Sequence, residues 1–155
     1  MLRLASIFAL DVSAYSVMSI SAERISKLAI LEFTVMKYPT MREELIDYLE
    51  GLSDKQYQLD CWVGGNYPEG VGHDELDYAV HFLFDDTSLS SKPAIHIGGI
   101  LRDRNEANKV KAVCDALKNI IDALGDATDE QYVLCDDWVN VLEAAESALK
   151  VLKDL

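Results

Sequence analysis

The stretch Asp103–Gly125, DRNEANKVKAVCDALKNIIDALG, decides the fold class. Within it Ala107, Val110, Val113, Cys114, Leu117, Ile120, Ile121 and Leu124 return at intervals of three and four, which puts them along one side of an α-helix. Asp103 with Glu106 is a cap signal at its start, and Gly125 suits its end. This is the longest clean apolar stripe in the chain and reads as the central helix.

The same punctuation continues outward. Downstream, Thr128 with Gln131 opens a short segment, and Trp138, Val141, Leu142, Ala145, Leu149 and Leu152 line a last helix. Upstream, Pro93–Leu101 predicts one turn broken at Gly98–Gly99, preceded by a loop over 87–93. Leu76, Ala79, Val80, Leu83 and Phe84 predict a further helix, although the short run Tyr78–Phe84 also admits a strand. Residues 63–73, VGGNYPEGVGH, hold four of the eight glycines and one of the three prolines, so they form a loop. Before it, Ser53 with Gln56 reads as a capping box opening a short helix that buries Tyr57, Cys61 and Trp62. Thr40 with Glu43 reads as another, opening a helix over about 40–50 with Met41, Leu45, Tyr48, Leu49 and Leu52 inward and Gly51 as its stop. The expected fold is all-α, a compact bundle of about five to six helices. Ser53–Leu59 (SDKQYQL) echoes Thr128–Leu134 (TDEQYVL); convergence on one capping need explains so few matches better than duplication does.

The chain has 155 residues, half of them hydrophobic, which suits one domain and excludes a disordered tail. It carries 14 basic and 27 acidic side chains, a net charge of −13. Residues 1–36 hold three of each sign; residues 37–155 hold 11 basic and 24 acidic, and so the whole imbalance. Such a surface repels phosphates, which argues against direct nucleic-acid binding and for a basic protein partner. Patterning breaks at the same point, giving an N-terminal extension, 1–36, and an acidic helical domain, 37–155. Arg3 and the apolar Leu4–Leu10 make only a short version of an export signal before Asp11. The charge-free Val12–Ala22 is too short to span a membrane. Met36 is therefore a candidate true start, with the preceding residues a start-site artefact. If the extension is genuine, Lys27–Met36 is apolar enough to pack as strand or helix.

Cys61, Cys114 and Cys135 lack metal-ligand spacing with one another or with His73, His81 and His96, and read as buried free thiols in a reducing cytoplasm. Asp77, His81 and Asp85 share a helical face, an acid–base or metal arrangement in principle, but more simply a solvated polar face. Asp85 and Asp86 stand where a helix ends, and carboxylates there oppose the helix dipole; a basic partner would supply the missing cation, unless Asp86 caps the turn through Thr87, Ser88 and Leu89. Tyr67, in the glycine-rich loop, is a contact candidate or packs back onto the body. No phosphate loop, nucleophile elbow, zinc-protease or calcium motif is present, so an enzyme is disfavoured and no cofactor is implied.

Tyr38-Pro39-x-x-Arg42-Glu43-Glu44-Leu45, His81-Phe82-Leu83-Phe84-Asp85-Asp86-Thr87, Ile100-Leu101-Arg102-Asp103 and Trp138 before an Ala-rich helix together resemble a family of small, acidic bacterial proteins best known from Streptomyces. The HFLFDDT string is the most specific of these, and the resemblance spans about 37–153. Proteins of this type look like the immunity proteins of polymorphic toxin and contact-dependent growth inhibition systems. The resemblance implies a cytoplasmic protein that binds and neutralises a cognate toxin, of nuclease type and basic, and carries no catalytic residues over. On that reading Asp85 and Asp86 provide charge, Trp62 and Tyr67 are anchors, and Asp77 and His81 flank them. A non-toxin adaptor or regulatory domain using the same acidic face is the alternative, and a metal-dependent hydrolase built on Asp77, His81 and Asp85 the second alternative.

Overall fold

A computed structural model describes residues 35–154. By its internal contacts the chain divides after Val35, and residues 36–154 form the helical body. The readings of residues 3–11, 12–22 and 27–34 lie outside the described residues. The body is all-α, with no strand among the described residues. Its helices are α1 (Pro39–Ser53), α2 (Lys55–Tyr57), α3 (Leu76–His81), α4 (Arg104–Leu124), α5 (Asp129–Val133) and α6 (Trp138–Leu152). Two of them run on into π-helical turns, α2 into Gln58–Val63 and α3 into Phe82–Asp86, and a single 3₁₀ turn covers Pro93–His96. Tyr78–Phe84 is thus helical, not a strand.

The long helix forms where its apolar stripe placed it. Asp103 Oδ1 accepts the Glu106 backbone N–H at 2.9 Å, and Gly125 closes the helix at φ +65°, a conformation that only glycine adopts without strain. Ala107, Val110, Val113, Cys114, Leu117 and Ile120 are buried, whereas Leu124 stands 42% exposed. It is not the central helix, however. Helix α6 packs against both α4 and α1 and forms the middle layer. Its inward face alternates Trp138, Val141 and Leu152 with Ala145 and Ala148, all buried, and the small residues admit two neighbouring helices at close range.

Caps were the least transferable part of the sequence reading. At α5 the box is complete: Thr128 Oγ1 accepts from Gln131 N, and the Gln131 side chain accepts from Thr128 N. At α1 it is absent. Pro39 takes the first helical position with Tyr38 before it, so the helix starts ahead of Thr40, whose hydroxyl caps nothing. At α2 the cap is Asp54, accepting from Tyr57 N at 2.9 Å, while Ser53 Oγ donates back to Glu50 O. The caps of the echoing segments therefore sit one position apart. Gly51 does not stop α1, which runs on to Ser53 with Gly51 inside it.

Within the first of the echoing segments, Gln58 is fully buried, donating to Gly51 O (2.8 Å) and accepting from Trp138 Nε1 (2.8 Å). A buried polar pair satisfied on both sides fixes one register between α1, the first π turn and α6. Glu106, also buried, is a second such point. Arg42 grips its carboxylate with two bonds of 2.8 Å, and Arg102 adds its Nε at 2.6 Å and its backbone N–H at 2.7 Å. Both arginines reach the end of α6: Arg42 donates to Leu152 O, and Arg102 to Val151 O, Leu152 O and the Asp154 carboxylate.

Candidate functional site

The second half of α1 and the α2 π turn form two sides of a cleft of about 400 Å³. Tyr48, Tyr57 and Trp62 are its aromatic walls, and Asp47, Glu50, Asp54 and Asp74 its carboxylates. The walls meet at a corner: the Tyr57 and Trp62 rings stand edge to face, 6.2 Å apart at 83°. Gly51 lies beneath, where a Cβ would come 3.4 Å from Trp62 Cζ2, so a small residue lets the indole settle on α1.

Asp74 sits in that corner. Its Oδ2 accepts from Tyr57 Oη at 2.6 Å and from Trp62 Nε1 at 2.9 Å, so two aromatic donors fix one carboxylate. Both donors are neutral, and Asp47, Asp54 and Asp74 have no basic partner among the described residues; Glu50 pairs with Lys153. Burial, followed by the bond to Asp74, raises the Tyr57 pKa. Tyr48 is pushed up to about 12 by burial, then by Glu44, with Asp74 and Asp86 adding to it. Asp86 therefore acts on the same region as Asp74, and the Tyr48 ring packs 5.1 Å from Phe82 on the π turn that carries Asp86.

Asp77 and His81 on α3 and Asp85 on the π turn that follows do come together, on an exposed face. His81 Nε2 lies 3.1 Å from Asp77 Oδ2 and Nδ1 2.7 Å from Asp85 Oδ2. The Asp85 bond and the Asp77 charge raise the His81 pKa. The ring nitrogens point in opposite directions, each toward its own carboxylate, so the three groups share no common point for an ion. Among the described residues no group of three or more His, Cys, Asp or Glu side chains could hold a metal ion.

The model of the family described as Domain of unknown function (DUF7945) matches residues 36–154. The chain belongs to this family. No curated protein and no solved structure matches it.

In this DUF7945 chain the other residues singled out from the sequence divide by environment. Asp85 is engaged by His81, whereas Asp86 makes no ion pair among the described residues. Asp86 does not cap the following turn. Thr87, buried, takes that role, bonding Phe82 O through its hydroxyl (2.6 Å) and accepting from Leu89 N (3.4 Å). Tyr67 turns back onto its own loop, its Oη 2.9 Å from His73 Nδ1, with the His73 ring in turn against Tyr78. Trp62 is half-buried and walls the cleft, with its indole N–H already taken by Asp74. Of the cysteines, Cys61 and Cys114 are buried and Cys135 half-buried, all free, and burial pushes the Cys114 thiol up to about 12. The DUF7945 body has, among its described residues, no helix long and apolar enough to cross a membrane.

Sequence reasoning missed the cleft as a unit. Tyr57 and Trp62 are five apart, a spacing that splits them on an α-helix and aligns them only on a π turn. Asp74 reaches them from beyond the glycine-rich loop, a juxtaposition without a local signature.

Proposed function

We propose that this protein is an immunity protein that binds and neutralises a cognate bacterial toxin, one-to-one and inside the producing cell. The observation that carries the reading is the set of carboxylates without a cation of their own: Asp47, Asp54 and Asp74 in the cleft, and Asp86, make no ion pair among the described residues. Carboxylates that lack basic partners within their own chain are complementary to a basic protein. The likeness of the HFLFDDT and YPxxREEL strings to toxin-system immunity proteins points to the kind of basic protein, a nuclease-type toxin whose phosphate-binding cleft is positive. Asp86 and the cleft supply charge and aromatic contact on this reading, with Asp85, Asp77 and His81 at the edge. Tyr67, turned onto His73, contributes at most the shape of the loop.

The test is affinity capture with the full chain as bait in the native bacterium, with bound species identified by mass spectrometry. The expected catch is a basic toxin domain whose activity stops on equimolar addition of this protein. Capture of that domain with its activity undiminished would reject neutralisation, and a housekeeping partner alone would favour the adaptor reading.

A further inference from the structure

The cleft between α1 and the α2 π turn has more structure than a patch of acid. It combines a concave volume of about 400 Å³, two aromatic faces meeting at a right angle, and one carboxylate locked in the corner with a free oxygen. Asp74 Oδ2 is spent on Tyr57 and Trp62, but Oδ1 has no donor among the described residues. Asp47 and Asp54 lie on the same wall without counter-charges. A corner of this kind meets two demands at once: a cation over a ring face, and hydrogen-bond acceptors at its edge.

We propose that this cleft is the receptor for an arginine side chain of the partner protein, its guanidinium bonded to Asp74 Oδ1 and stacked on Trp62. The partner inserts into this chain, rather than Trp62 projecting into the partner. Arginine fits better than lysine for a physical reason: its planar fork bonds a carboxylate while its faces remain free to stack, whereas an ammonium is a strongly hydrated point charge. A metal ion is the poorer occupant, because no three ligating groups among the described residues converge there. Charge complementarity makes the occupant protein-borne: residues 37–155 carry 24 acidic against 11 basic side chains, an excess that a basic protein surface matches. The inference rests on the protein-binding reading above.

Two tryptophans make the test self-controlled. Trp62 lines the cleft; Trp138 is buried and bonded to Gln58. Full-length protein carrying ¹⁵N-labelled tryptophan is titrated with Nα-acetyl-L-arginine amide while both indole N–H resonances are followed. The Trp62 signal should move saturably and the Trp138 signal stay fixed. The neutral isostere Nα-acetyl-citrulline amide should leave both unmoved, and the lysine analogue should bind at least about fivefold more weakly than arginine. Asp74→Asn should weaken arginine binding by at least about fivefold, with an unmoved Trp138 signal reporting an intact fold. Asp47→Asn, which breaks no hydrogen bond, should weaken it less. An unresponsive Trp62, an equal response to citrulline, or indifference to both substitutions overturns the proposal. The two readings fail separately. A captured toxin that binds Trp62→Ala as tightly as the parent overturns the arginine receptor and leaves neutralisation standing. Saturable arginine binding with a captured toxin left active keeps the receptor and rejects neutralisation.

Discussion

Glu106 shows how much one side chain can decide. Only 1% exposed, it would favour the neutral acid through burial, yet bonds from Arg42 and Arg102 outweigh that and hold its pKa below the ordinary 4.5. A depressed pKa contributes stability that is complete above 4.5 and is lost as pH falls through the folded value. Glu106→Gln should therefore cost about 3 kcal/mol at neutral pH, because Arg42, itself 13% exposed, keeps its charge without a partner. Denaturant melts read that cost, and repeated below pH 4.5 they should show the gap between variant and parent narrowing. A gap that stays constant with pH would reject the pairing as its source. Sequence reading placed Glu106 at a helix start and no further, because its arginine partners are set by the fold. At the rim, the double change Asp85→Lys and Asp86→Lys should weaken partner capture at least about tenfold by reversing the local field. The fold should hold, since cations at a helix end favour the dipole and Thr87 does the capping. Unchanged capture with an unchanged circular dichroism spectrum would move the interface elsewhere.

Elements were legible where one helix face carries the whole signal, as in α4 and α6, and were misread where local punctuation had rivals. Thr40 had the right chemistry for a cap, but Pro39 occupies the first turn; Ser53 had it too, but Asp54, one residue on, made the bond. The π turns left no trace in apolar periodicity, because an extra residue per turn is absorbed without changing which residues are apolar. Two glycines separate the roles a sequence cannot. Gly125→Ala, at φ +65° and ψ −135°, should cost about 1–3 kcal/mol in a thermal or denaturant melt. Gly51→Ala lies in helical backbone and meets only ordinary contact with Trp62, so stability should stay within about 1 kcal/mol of the parent. Equal costs at both positions would contradict the assignment.

At the scale of the molecule, the layer order was hidden for a simple reason. The apolar stripe of α4 is longer than that of α6, but centrality depends on having two packed faces, and the alanines of α6 provide the second. The −13 charge, all of it from residue 37 onward, has a cost of its own, since like charges held together repel. Added salt should therefore raise the melting temperature by a few degrees between about 20 and about 200 mM NaCl, in contrast to a fold dominated by surface ion pairs. Scanning calorimetry across that range checks the sign, and a falling melting temperature would reject net repulsion as the dominant surface term.

The clasp that ties Arg42 and Arg102 to the carbonyls of Val151 and Leu152 has a consequence for how the protein is made. A ribosome delivers α1 well before residues 151–154, and until those residues emerge the two arginines lack the carbonyl acceptors that complete their hydrogen bonding. The middle layer, α6, is also the last of the described helices in chain order. Folding of the body then waits for residues 151–154: a chain cut after Lys150 should lack cooperative melting and be degraded in the cell, so that only molecules carrying the clasp take part in binding.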